Sequence, residues 1–172
     1  MARNCKAKGM THGLLTWIMF LFWMLSAKGA TGQKQSLPLI DSLDFASISP
    51  GSYMESWLKM GEDAQGNPIK IPIIIAKGDL PGPVVGIAAA IHGNELNGIA
   101  VVQQIFARLD LKNVYGTIIG IPGLNPLSIE QHERRFPDQE DLNRGFPGKL
   151  NGSTSQQFIY QIDQKILPKL DI

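Results

Sequence analysis

Between Val84 and Ile121 the chain passes through an apolar run, a stretch with helical spacing and a second apolar run, and this order constrains the fold more than any other feature. Val84 to Ile91, entered through Pro81-Gly82-Pro83, has the composition of a buried strand. Leu96, Ile99, Val102, Ile105, Phe106 and Leu109 then recur on one helix face, which predicts a helix from about Glu95 to Leu109 with Asn94 as its cap. Tyr115 to Ile121 predicts the next strand. Upstream, the β-branched run Ile71 to Ala76 predicts another. Downstream, Ser153 or Ser155 caps a second helix whose apolar face is Phe158, Ile159, Ile162, Ile166 and Leu167. Alternating strands and helices bury both sides of a sheet, so the expected class is α/β, a mixed sheet with helices on both faces.

The flanks carry different signals. Arg3, Lys6 and Lys8 precede the apolar run Leu14 to Leu25, and the small residues Ser26-Ala27-Lys28-Gly29-Ala30 follow it. That run is shorter than the roughly 20 residues a membrane-spanning helix needs, so residues 1–29 read as an export signal, with a permanent N-terminal anchor as the alternative. The expected location is periplasmic or secreted, with membrane contact only through this segment. Without it, twelve basic residues face fifteen acidic ones, a net charge of −3 that excludes a polyanion-binding surface and hence nucleic acid as partner. Cys5, the only cysteine, falls inside the signal, which leaves no disulfide or thiol chemistry. From Gln33 to about Trp57 the chain is polar and turn-rich, so residues 30–69 are expected to lead into the domain as a loop or edge strand. Leu170-Asp171-Ile172 reads as the first residues of a further strand, from which the sequence is expected to be truncated at its C-terminal side.

Chemistry concentrates in two places. His92-Gly93-Asn94-Glu95 follows directly after the strand ending at Ile91, where open α/β sheets place their ligand sites. With a tight turn at Gly93, an imidazole and a carboxylate three residues apart can converge on one cation, and zinc accepts both ligand types. Taken alone, the pair is read equally well as a histidine at a strand end and a glutamate favourably placed in the first helical turn. The second place is the segment from Pro122 to Gly152, some thirty residues with no periodicity, a length at which a loop tends to be functional or disordered. It holds Arg134-Arg135-Phe136-Pro137-Asp138 and then Asp141-Leu142-Asn143-Arg144-Gly145-Phe146-Pro147-Gly148. Arg135 and Arg144 offer guanidinium forks and Asn143 an amide, a set suited to a carboxylate. Asp141 between them has a supporting role, bracing an arginine or accepting backbone donors. Arg134 is either a solvated surface charge or takes the place of Arg135. His132 reads as a surface or pocket-rim histidine.

The combination of His92-Gly93-Asn94-Glu95, Asn125-Pro126, and Arg135 through Asp141-Leu142-Asn143-Arg144 resembles the succinylglutamate desuccinylase/aspartoacylase family in order and approximate separation. The resemblance covers about residues 70–172, expected to be the N-terminal part of a zinc hydrolase catalytic domain with a zinc carboxypeptidase-like fold. It implies that His92 and Glu95 are zinc ligands, one ion per site. It implies further that Asn143 and Arg144 bind a substrate carboxylate and that Arg135 holds substrate or polarises its carbonyl. The family's third zinc ligand, a histidine, and its general base, a glutamate, are not matched within the 172 residues. The implied activity is hydrolysis of an amide or ester bond in an N-acyl amino acid or similar small carboxylate. A carboxypeptidase-like action on peptides, or a non-catalytic exported binding module, stays open. The oligomeric state is not specified by the residues.

Overall fold

Isoleucine at 69, 71, 73, 74 and 75 stiffens the backbone towards extended conformations, and this run forms the middle of the sheet. In the computed structural model, which describes residues 36–172, the strands are β1 (Leu39–Ile40), β2 (Ser52–Glu62), β3 (Pro68–Lys77), β4 (Leu80–Ala88) and β5 (Tyr115–Ile121). The helices are α1 (Asn97–Arg108), α2 (Pro126–Gln131) and α3 (Thr154–Lys165), with short 3-10 turns at Leu111–Asn113, Leu142–Arg144 and Leu167–Lys169. The signal segment and Cys5 lie outside the described residues.

The strand order is β1-β2-β3-β5-β4. β2 pairs antiparallel with β3 and β3 antiparallel with β5, while β4 runs parallel to β5 and β1 parallel to β2, so the sheet is mixed. β4 and β5 are joined through α1, as a parallel pair requires. One core lies between the sheet and α3, where Leu58, Ile73, Ile75 and Ile119 meet Phe158 and Ile162. The other lies under α1, where Val102 and Phe106 pack beside Ala76. Helices therefore cover both faces, as the alternation of elements predicts.

Several expectations are corrected in detail. The segment expected to enter as a loop or edge strand contains most of β2, an inner strand paired with β3 along its length. Leu58 and Met60 are buried while Tyr53 and Glu55 are exposed, so the polar residues that made this stretch look like a loop are one side of a two-residue alternation. β4 starts four residues earlier than Val84 and ends at Ala88, because Ala90 turns to a φ of 55° and takes the chain out of the sheet. Asn94 does not cap α1, which starts at Asn97 after a turn closed by the Glu95 N–H on the His92 carbonyl. The long loop contains α2, capped by Asn125, whose side chain accepts from the Ser128 N–H. Six residues are too few to show a helical period. Ser153 is the residue that caps α3, and Leu167 is exposed at 44% instead of completing the apolar face.

At the outer edge of β4, Asp171 donates its N–H to the Val84 carbonyl at 2.9 Å and Gly86 donates to the Ile172 carbonyl at 3.0 Å. These bonds lay residues 171–172 along β4, but Leu170 to Ile172 do not form the strand expected there. No helix among the described residues is long and apolar enough to cross a membrane.

Candidate functional site

β4 and β5 end side by side, and the segments that leave them remain joined. Leu124 donates to the Ala89 carbonyl and Asn125 to the Ala90 carbonyl, while the fully buried Asn125 side chain donates to the Ile91 carbonyl at 2.9 Å. These bonds fix the backbone on which His92 sits. Gly93 then presses against α2, where any side chain would overlap the Ser128 carbonyl. Its lack of a Cβ serves this close approach, whereas the sequence pointed to a tight turn.

His92 is 4% exposed and meets a carboxylate at each ring nitrogen. Nδ1 is 3.0 Å from Glu95 Oε1, and Nε2 is 2.9 Å from Asp141 Oδ1. Arg134 closes the group, with Nη1 2.8 Å from the same Glu95 Oε1 and Nη2 3.6 Å from Asp141 Oδ2. Hydrogen bonding to His92, followed by the charge and hydrogen bond of Arg134, holds the Glu95 carboxyl below the ordinary carboxylate range. Asp141 is lowered first by its bond to His92 and further by the Asn143 N–H and by Arg134.

This arrangement admits a metal ion. Zinc held by a nitrogen and an oxygen at ordinary bond lengths separates them by about 3.3 Å in tetrahedral geometry, and the Nδ1 to Oε1 separation of 3.0 Å needs to open only slightly. A neutral imidazole has one N–H to share between two carboxylates. A cation held by Nδ1 and Glu95 would leave the N–H on Nε2 to donate to Asp141. Among the described residues no group of three or more His, Cys, Asp or Glu is arranged to hold an ion. The ring places Glu95 and Asp141 at opposite nitrogens, so two donors face the candidate position.

The other candidate residues lie on the neighbouring loop. Ser128 donates its hydroxyl to the Arg135 carbonyl, Asp138 accepts from the Ser155 N–H of α3, and Phe136 is fully buried against Phe158. The Arg135 side chain is exposed and donates to the Gln139 carbonyl at 2.6 Å. Asn143 and Arg144 are exposed on the 3-10 turn that begins at Asp141, whose side chain accepts the Asn143 N–H. His132, in the left-handed region at the end of α2, is exposed. Sequence reasoning brought His92 and Glu95 together but did not join Asp141 to His92, because 49 residues separate them and only the folded loop closes that distance. Nor did it assign a position to Ser128, whose buried hydroxyl leaves no periodic signal.

The mixed α/β sheet thus carries a histidine and a glutamate that meet beyond the end of β4, with an arginine-bearing loop beside them. The model of the succinylglutamate desuccinylase/aspartoacylase catalytic domain matches residues 81–170. The chain belongs to this family. It is 28% identical over 143 residues to the N-alpha-acetyl-L-2,4-diaminobutyric acid deacetylase of Halomonas elongata, covering 82% of this chain and 41% of that protein. Among solved structures it resembles a succinylglutamate desuccinylase/aspartoacylase from Rhodobacter sphaeroides, with a TM-score of 0.67, 29% identity and coverage of 77% of this chain and 40% of that one. An aspartoacylase family protein from Mesorhizobium loti gives a TM-score of 0.63 at 31% identity, over 72% of this chain and 39% of that one. The fold is thus the zinc carboxypeptidase-like one expected, and the chain spans about two fifths of the length of these relatives.

Proposed function

We propose that the protein is a zinc-dependent hydrolase acting on the amide or ester bond of an N-acyl amino acid or similar small carboxylate. The observation that carries this reading is the placement of His92 Nδ1 3.0 Å from Glu95 Oε1 at the end of β4, with Asp141 at the other ring nitrogen. Family membership supports it, and the Halomonas relative is by its name a deacetylase of an acetylated amino acid. His92 and Glu95 hold the ion. Asp141 accepts from Nε2, which fixes the tautomer and would leave the Nδ1 lone pair free for an ion shared with Glu95. Zinc supplies Lewis acidity towards a carbonyl and lowers the pKa of water. Arg144 grips the substrate carboxylate through its guanidinium fork and Asn143 orients the same group. Arg135, once turned from Gln139, stabilises charge developing on the carbonyl oxygen. Residues 1–29 direct export to the periplasm or the exterior in this reading, and recovery of the protein in the cytoplasmic fraction alone would contradict it.

The test is hydrolysis by the complete protein of N-acyl amino acids and short peptides, before and after chelation. Chelation abolishes turnover and zinc restores it. Arg144→Ala lowers kcat/KM about ten- to a hundredfold, since a hydrogen bond to a charged group contributes about 1.5 to 3 kcal/mol. Preference for peptides would replace the small-substrate reading with a peptidase, and full activity in His92→Ala would remove the metal assignment.

A further inference from the structure

Arg134 is half exposed, yet both of its terminal nitrogens face the two carboxylates that flank His92. The oxygen it contacts most closely, Glu95 Oε1, is the same one that faces His92 Nδ1. A metal ion held by His92 and Glu95 needs a lone pair on the Glu95 carboxylate, and its positive charge would lie next to the guanidinium. The two cations thus compete for one carboxylate. His92 is enclosed and its backbone is fixed by the bonds of Asn125, so the ring does not yield. The backbone beside Arg134 is held as well, by the Ser128 hydroxyl on the Arg135 carbonyl. The long Arg134 side chain is the part that can swing away, into water.

We propose that Arg134 stands in for the cation at Glu95 when no metal is present and leaves Glu95 when metal binds, so that this positioning residue lowers the metal affinity of the site. The inference rests on the zinc reading of His92 and Glu95 given above. It gives the first arginine of the Arg134-Arg135 pair a task of its own: neutralising Glu95 and Asp141 until the ion arrives.

The test is zinc affinity of the full chain, read by competition with a chromophoric chelator, for the wild type, Arg134→Gln, Arg134→Lys, Arg135→Gln and His92→Ala. Arg134→Gln binds zinc about three- to tenfold more tightly, the scale on which loss of an exposed ion pair and of like-charge repulsion acts. Arg134→Lys stays near the wild type because it keeps the charge. Arg135→Gln, which loses a bond to Gln139 and not to Glu95, also stays near it. A tighter site on removal of a side chain is not what loss of structural support produces. Unchanged or weaker binding in Arg134→Gln overturns the inference while His92-dependent binding in the wild type leaves the zinc reading standing. Absence of any His92-dependent binding overturns both.

Discussion

Phe136 sits between Arg134-Arg135 and Asp141 and is fully buried, its ring centroid 5.3 Å from that of Phe158 on α3. A polar loop is thereby anchored in the main core, and Phe136→Ala measures the strength of that anchor. Removing a buried phenylalanine side chain costs about 3 to 5 kcal/mol, of which the aromatic pair contributes about 0.5 to 1.5. Phe136→Leu, which retains most of the volume, costs about 1 to 1.5 kcal/mol. Urea unfolding followed by far-ultraviolet circular dichroism reads both, and an unchanged slope shows that the loss is one of native stability. A cost below about 1 kcal/mol for Phe136→Ala would mean that Phe136 does not anchor the loop, since removal of a fully buried ring costs more than that.

Gly93→Ala drives a methyl group into the Ser128 carbonyl and is expected to destabilise by about 1 to 3 kcal/mol, read as a lower urea midpoint. Asp141→Asn removes the charge opposite the His92 ring and is expected to weaken zinc binding about ten- to a hundredfold in chelator competition, and an unchanged affinity would show that Asp141 does not set the ring. At Asp138, burial pushes the carboxyl pKa up, but the Ser155 N–H and hydroxyl outweigh it and hold the group below its ordinary value. A carboxylate depressed on folding stabilises the native state above its unfolded pKa of about 4, and that contribution is lost as the pH falls through the lower folded value. The melting-temperature advantage of the wild type over Asp138→Asn is therefore constant from neutrality to about pH 5 and shrinks below pH 4.

The strands and helices of the α/β core were legible because their residues repeat with the period of the element. β5 is found at Tyr115–Ile121 as read, and α3 begins after Ser153 as its cap predicts. β2 was obscured because Tyr53, Glu55, Trp57 and Lys59 alternate with the buried side, so that average polarity masks a strand with one open face. The start of α1 was misplaced because Asn94 belongs to the turn that ends in Glu95, a distinction of backbone geometry and not of residue type. In the site, the convergence of His92 and Glu95 was legible from their spacing, since three residues and one turn fix it. The union of Asp141 and Arg134 with that pair depends on how a loop anchored by Phe136, Ser128 and Asp138 folds back, and no local pattern carries it.

His92 and Glu95 are proposed to hold one zinc ion. Metal content of the complete protein after equilibration with zinc and removal of the excess tests this, with the wild type compared with His92→Ala and Glu95→Ala. The account predicts zinc that is retained by the wild type, one ion per chain, and lost from both variants while their circular dichroism spectra stay unchanged. Zinc retained equally by His92→Ala would contradict it.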